Sequence, residues 1–267
     1  MTMRMTIMTA GLLALIGVTP AIAADSVLAI KVAAATRDAA NRARDGARHP
    51  QASLEFWGLK PGQTVIEVAP GGGYWSEILA PYALATHGHY IAATGAPGQK
   101  LPARFDDKAT YGDIRYTVFN NTSGPLGPAN SADLVLTARN IHDWMWTPGM
   151  AQKAMADFYA VLKPGGILAV EDHRADPRPQ VQEARDGYVN TSVIVGMAEK
   201  AGFRLEARSE INANPKDTKD HPFGVWTLPP TRRSAPQGQP ANPGFDHSKY
   251  DAIGESDRMT LRFRKPA

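Results

Sequence analysis

The 267-residue chain contains no cysteine. That excludes a disulfide framework, a thiolate metal site, a cysteine nucleophile and a lipid anchor on an N-terminal cysteine. It also has no apolar run of the ~20 residues that a membrane-spanning helix needs. A basic stripe with interleaved aromatics is missing too. The formal net charge is only +3, and Arg262-Phe263-Arg264-Lys265 reads as a solvated strand edge, so no nucleic-acid partner is expected. No Gly-Lys-Ser or Gly-Lys-Thr follows the one glycine-rich turn, which removes the phosphate-loop pattern.

What is present is ordinary globular material: 43% apolar and 21% charged residues, enough for a sizeable core without cross-links. The first residues depart from it. Arg4 precedes a mostly apolar core from Ile7 to Val18, and Ala21-Ile22-Ala23 forms an A-x-A cleavage pattern. This is the make-up of a secretory signal peptide over 1–23, and it predicts a periplasmic or secreted chain with no stable membrane anchor after cleavage behind Ala23.

Residues 26–48 are rich in Ala and Arg and read as one N-terminal helix with a polar face carrying Lys31, Arg37, Asp38, Arg42 and Asp45; a short helix follows over 51–57. Residues 24–58 are thus expected to form a helical extension. From 59 onward β-branched runs alternate with helical segments, which predicts a mostly parallel sheet covered on both faces. The expected strands are 64–68, 89–93, 114–119, 132–137 and 167–170, with two more beginning near Gly202 and at Met259. Thr147-Pro148 reads as a helix N-cap followed by proline at the first helical position. The last two strands have no helix between them. A connection over 213–257, rich in Pro, Gly, Asn and Asp, joins them as a long loop or flap. No internal repeat is visible, and 59–267 is expected to be one domain.

The most informative run is Val65-Ile66-Glu67-Val68-Ala69-Pro70-Gly71-Gly72-Gly73, a strand that carries an acid and enters a helix through three glycines. Such a turn lets backbone N–H groups approach a ligand closely. The dinucleotide fingerprint fails, because Ser76 stands at its third position and the next strand ends Ala92-Ala93-Thr94-Gly95 without an acid. An acid two residues before the turn instead suits a cationic, phosphate-free nucleoside such as S-adenosylmethionine.

With the elements in this order, the chain resembles the class I S-adenosylmethionine-dependent methyltransferases. VIEVAPGGG is similar to their first motif, SADLVLT to their fourth strand, and LKPGGILAVED to the turn and fifth strand. The likeness runs from about residue 54 to 211, with the closing strand beyond. Arg48-His49-Pro50, Pro70-Gly71-Gly72-Gly73, Arg139 to Trp144 and Asp172-His173-Arg174 further resemble a bacterial subgroup of exported relatives, which implies a fold and a cofactor but no substrate.

The resemblance implies a Rossmann-like α/β fold: a doubly wound, mostly parallel seven-stranded sheet whose last strand is antiparallel. It implies S-adenosylmethionine held by Glu67, Ala69, Gly71, Gly73, Thr94, Asn120, Arg139 and Asn140. Ala69 replaces the usual first glycine, and Thr94 stands where a carboxylate commonly grips the ribose. Ligands of open α/β sheets bind beyond the carboxyl ends of the strands, which gathers Asn121, Asp143, Glu171, Asp172 and Arg174 around the same place. A base for an oxygen or nitrogen nucleophile is expected from His142 or His173, with His49 as a third choice. His87-Gly88-His89 reads as an exposed turn, and no metal is expected. Trp57, Trp75, Trp144 and Trp146 are candidates for an apolar pocket wall. The expected activity is methyl transfer to a small-molecule acceptor; the competing expectation is an exported ligand-binding protein of this fold without turnover.

Overall fold

The computed structural model describes the backbone of residues 21–267 and side chains from residue 26 onward. Most of the expected export segment, 1–20, lies outside the described residues. The elements follow in order α1 (Ala21–Val32), α2 (Ala39–Arg42), α3 (Asp45–Arg48), α4 (Pro50–Phe56), β1 (Thr64–Val68), α5 (Ser76–Ala85), β2 (His89–Thr94), α6 (Lys108–Tyr111) and β3 (Arg115–Val118). They continue with β4 (Ala132–Ala138), α7 (Ile141–Trp144), α8 (Met150–Val161), β5 (Leu162–His173), α9 (Thr191–Lys200), β6 (Arg204–Ser209), β7 (Pro222–Val225), α10 (Ser248–Ile253) and β8 (Arg258–Arg264). Among the described residues no helix is long and apolar enough to cross a membrane.

Seven strands form one sheet in the order β3-β2-β1-β4-β5-β8-β6. All neighbouring pairs are parallel except those of β8, which runs antiparallel between β5 and β6. The expected doubly wound sheet with one reversed strand is therefore what the chain adopts. The central strands read as continuous apolar runs because both faces are covered: Leu134, Val135 and Leu136 of β4 are fully buried. Edge strand β6 alternates Arg204, Glu206 and Arg208 with less polar residues, which discourages pairing with another chain.

Beyond Ser76 and Glu77 in its first turn, helix α5 is apolar on every side, and residues 76–83 are all buried. One face lies on the sheet, and Leu28 of α1 joins the same apolar cluster. An all-round apolar helix needs two covers, and the N-terminal extension supplies the second. Trp57 anchors that extension, fully buried, with its indole N–H donating to the Leu261 carbonyl of β8 at 3.1 Å.

Four expectations are corrected. Residues 26–48 are not one helix but three. The Arg37 guanidinium, expected on a solvated face, turns inward to the Val32 carbonyl at 2.6 Å and both oxygens of Asp45 at 2.6 and 2.8 Å. Asp38 then caps α2 by accepting from the Ala40 and Asn41 amides. Helix α8 begins at Met150 behind Gly149, whose φ of +80° makes the turn, so Thr147 is not its cap. Strand β5 runs over Leu162–His173 rather than 167–170, because its first residues pair with the start of β4 across an irregular register. The connection 213–257 is folded and carries β7 and α10. Its anchor is buried Asp217, which accepts from Tyr188 Oη at 3.0 Å, the Lys219 amide at 3.0 Å and the Asp257 amide at 2.8 Å, and lies 2.8 Å from His221 Nε2.

Arg258 holds the parts together. It is 1% exposed, with Nη1 2.6 Å from Glu255, Nε 3.1 Å from Glu171 and Nη2 donating to the Ala47 carbonyl at 2.6 Å. Arg258→Met should cost about 3–5 kcal/mol in urea unfolding, because two buried carboxylates lose a counter-charge. Adding Glu171→Leu should restore part of that loss. A double variant as unstable as the single one would show that the ion pair is not what the network depends on.

Candidate active site

The strand ends of β1 and β4 open a cleft of ≈260 Å³ lined by Glu67, Ala69, Gly71, Gly72, Arg139 and Asn140 from the sheet side and by Arg44 and Arg48 from the extension. The turn is built for close approach. Gly71 has φ +56°, and a Cβ there would meet nothing within 4 Å. Ala69 has a left-handed backbone, with φ +52°, a strain of about 1–2 kcal/mol for an L-residue. The Asn140 amide donates to the Val68 carbonyl at 3.1 Å and pins the β1 and β4 ends together.

Glu67 sits at the back of this cleft, 3% exposed. Tyr90 Oη and Ser76 Oγ donate to its Oε2 at 2.5 and 2.8 Å; its Oε1 makes no hydrogen bond among the described residues. Burial outweighs those two donors and pushes the carboxyl up to about 7.

Not every residue expected at the cofactor lines this cleft. Gly73 faces the other way, where the Phe105 ring would lie 2.5 Å from an added Cβ. Thr94 is buried, and its hydroxyl donates to the Gln99 carbonyl at 3.0 Å. Asn120 donates to the Gly95 carbonyl at 2.9 Å and accepts from Thr122. Both side chains stabilise the loop beyond β2, which Arg104 fastens to Glu77 and to the Gly72 carbonyl.

A second cavity of ≈100 Å³ lies beyond β4 and β5, lined by Arg139, His142, Asp143, His173, Trp226, Thr231, Glu255 and Ser256 among others. His142 and His173 meet here with ring centroids 4.8 Å apart. His142 Nδ1 is 2.7 Å from Asp172, a carboxylate with no exposed surface that also accepts from the Ile141, His142 and His173 amides. His173 Nδ1 is 2.5 Å from Ser256 Oγ. Each ring is thus held by Nδ1. His142 Nε2 lies 3.4 Å from Asp143.

The two rings titrate in opposite directions. Burial would lower His142, but the Asp172 charge and hydrogen bond, with Asp143 beyond, raise it above the ordinary 6.5. Burial, reinforced by His142 and Arg139, holds His173 well below that value. One imidazole is therefore basic and the other neutral. His142, Asp172 and His173 also offer ligand atoms within 4.8 Å of one another; the Asp172 oxygens are already engaged by those donors.

His49, the third expected base, does not join them. It is exposed, its Nδ1 3.3 Å from Asn212, and it lines a separate depression. His87 and His89 are exposed near the start of β2, at the other end of the sheet. Arg174 and Glu171 serve structure, Arg174 through Asp257 and Glu210, Glu171 through Arg258. Of the tryptophans, Trp75 lines the cleft, Trp57 is core, Trp144 packs on Phe119 and Phe158, and Trp146 packs on Trp226.

Arg44, Tyr74, Trp226, Glu255 and Ser256 are site residues the sequence reading missed. One signal was available for two of them. Glu255-Ser256-Asp257-Arg258 is a polar run before the last strand, and an antiparallel β8 brings its start to the carboxyl ends of the others: Arg258 pairs with His173.

No family model matches the chain. The ubiquinone/menaquinone biosynthesis C-methyltransferase UbiE of Hydrogenovibrio crunogenus is 27% identical over 140 residues. That match spans 51% of this chain and only about half, 52%, of the relative's length. A SAM-dependent methyltransferase from Aquifex aeolicus superposes with TM-score 0.51 at 16% identity, covering 84% of this chain and 93% of that one. The [4+2]-cyclase SpnF superposes with TM-score 0.52 at 14% identity, over 83% and 81% of the two chains. Strand order, reversed β8 and these likenesses agree: the chain has the class I S-adenosylmethionine-dependent methyltransferase fold.

Proposed function

We propose that this protein is an S-adenosylmethionine-dependent methyltransferase acting on a small-molecule acceptor. The observation that carries the reading is the pairing of two unlike cavities at the carboxyl ends of the central strands: an open glycine turn backed by an acid, and beside it a buried histidine oriented by a carboxylate. The partial likeness to UbiE supports the same chemistry.

The residues of the larger cleft fit this cofactor. Gly71 leaves its backbone open, Glu67 offers Oε1 to a cation, and Arg48 Nη2 is buried without a hydrogen-bond partner. When bound, S-adenosylmethionine supplies an electrophilic methyl group on a positively charged sulfur. Glu67 would face its cationic amino end, and Arg44 and Arg48 its carboxylate. Thr94 is already committed to Gln99, so the ribose would be held without the usual acid.

His142 is the base. Asp172 fixes Nδ1 as the protonated nitrogen, which leaves Nε2 with a lone pair for the acceptor's proton. His173, neutral and tied to Ser256, shapes the wall beside it. Catalysis then rests on positioning and proton removal. Export of the chain belongs to the same proposal and rests on the sequence alone, on Arg4, the apolar stretch from Ile7 to Val18 and the A-x-A pattern; N-terminal sequencing of the mature protein would find Ala24 first.

Calorimetric titration with S-adenosylmethionine and S-adenosylhomocysteine tests the cofactor. Both should bind, and affinity should rise with pH through about 7 as Glu67 ionises, falling by up to about tenfold per pH unit below that. Glu67→Gln should weaken binding and flatten the dependence. Folded protein that gives no heat with either ligand would end the reading.

Nitrogen-15 NMR of the imidazoles tests the base. Asp172→Asn should move the His142 titration down toward or below the ordinary imidazole value. The folded state binds the His142 proton more tightly than the unfolded chain does. That stabilisation is complete below the ordinary value and is lost as pH rises through the folded one. The substitution should therefore cost more stability in mild acid than in alkali. An unmoved His142 titration would rule out Asp172 as its orienting partner.

A further inference from the structure

Arg139 is the residue common to both cavities. Its backbone is strained, with φ +63°, and is fixed by its amide donating to the Glu171 carbonyl at 2.8 Å. The residue is half-buried; its guanidinium makes no hydrogen bond and no ion pair among the described residues, and its Nε is shut off from solvent without a partner. Desolvation, with Arg48 and Arg258 nearby, pulls it down to about 10. A guanidinium left unpaired at that cost is a group waiting for an anion.

The neighbouring charges are already matched. Glu255 is taken by Arg48 and Arg258, and Glu171 by Arg258. Asp143 turns to His142. The cofactor brings one carboxylate, and Arg44 and Arg48 stand on its side of the wall with Nε and Nη2 unpartnered. Arg139 is surplus to that need and alone reaches the cavity of the two histidines.

Resting on the methyltransferase reading, we propose that the acceptor is a small organic acid whose anionic group pairs with Arg139 and whose nucleophile is a separate hydroxyl or amine. A carboxylate that was itself methylated would need no base, yet a base is built beside the anchor. Arg139 and His142 line the same small cavity, so the acceptor's anionic group and its nucleophile lie close together. Trp226, Val225 and Pro229 give the remainder of the acid an apolar wall. In the step itself the acceptor's oxygen or nitrogen forms a bond to the methyl carbon. The carbon–sulfur electron pair stays on sulfur, giving S-adenosylhomocysteine, and the acceptor's proton passes to His142 Nε2.

The test compares acids with their neutral amides by calorimetry: lactate against lactamide and salicylate against salicylamide, each with and without saturating S-adenosylhomocysteine. At least one acid should outbind its amide by about tenfold or more, and Arg139→Gln should erase that preference, read as the ratio of acid to amide affinity so that any change in S-adenosylhomocysteine affinity cancels. Arg139→Lys, which keeps the charge but loses the planar fork, should fall between. Neither acid outbinding its amide in the wild-type protein would overturn the proposal, as would a preference that survives Arg139→Gln. Absence of S-adenosylhomocysteine binding would instead strike the methyltransferase reading, and the acid series measured without it would still decide whether Arg139 holds an anion.

Discussion

One buried guanidinium sets the terms for the rest of the molecule. Arg258 lies where β8, the reversed strand, begins, and it contacts three parts of the chain far apart in sequence: Ala47 of the extension, Glu171 of β5 and Glu255 of the flap. A charge this deep is tolerable only beside counter-charges, and Glu171 and Glu255 supply them. Glu255 accepts from Arg48, which places the extension's cationic face over the cleft. Ser256, the next residue, bonds His173. The ion network and the site are therefore one construction. Burial works against ionising Glu255, yet Arg258 and Arg48 keep its carboxyl below the usual range.

The same burial separates the ionisable groups by role. Glu67, with two hydroxyl donors and no cation at hand, rises to about 7. His142, paired with an acid, rises as well, while His173, facing a hydroxyl and surrounded by positive charge, falls. Each group acquires its character from one or two neighbours. No part of that is written in residue type, since two adjacent-looking histidines at the ends of adjacent strands behave in opposite ways.

Much of the fold was legible because it depends on local pattern. β-branched runs, turn residues and the strand–glycine–helix passage located β1, β2, β4 and the sheet's direction, and the pairing of His142 with His173 followed from both lying at strand ends. What was not legible depends on distant partners. Arg37 looked like a solvated helix residue until Asp45 and the Val32 carbonyl drew it inside. The flap looked like loop chemistry because Asp217, Tyr188 and His221 become an anchor only when brought together. His49 carried the right chemistry in the right motif and still faces Asn212 outside the site. Trp226 sits on the flap, and nothing in its neighbourhood announced a pocket wall.

The absent acid after β2 can now be given a physical meaning. Thr94 stands at that position and is tied to its own loop. Its hydroxyl closes the loop at Gln99, Asn120 bonds Gly95, and Arg104 and Phe105 cover the far side of the glycine turn. The β2 end is therefore spent on its own loop. Charge is concentrated instead at the β1 and β4 ends, where Glu67 and three arginines line a single cleft. On the methyltransferase reading this moves the grip on the cofactor from its sugar to its amino-acid end. On that reading the missing acid after β2 and the unpaired Arg139 belong to one arrangement, with charge at the strand ends as its fixed point.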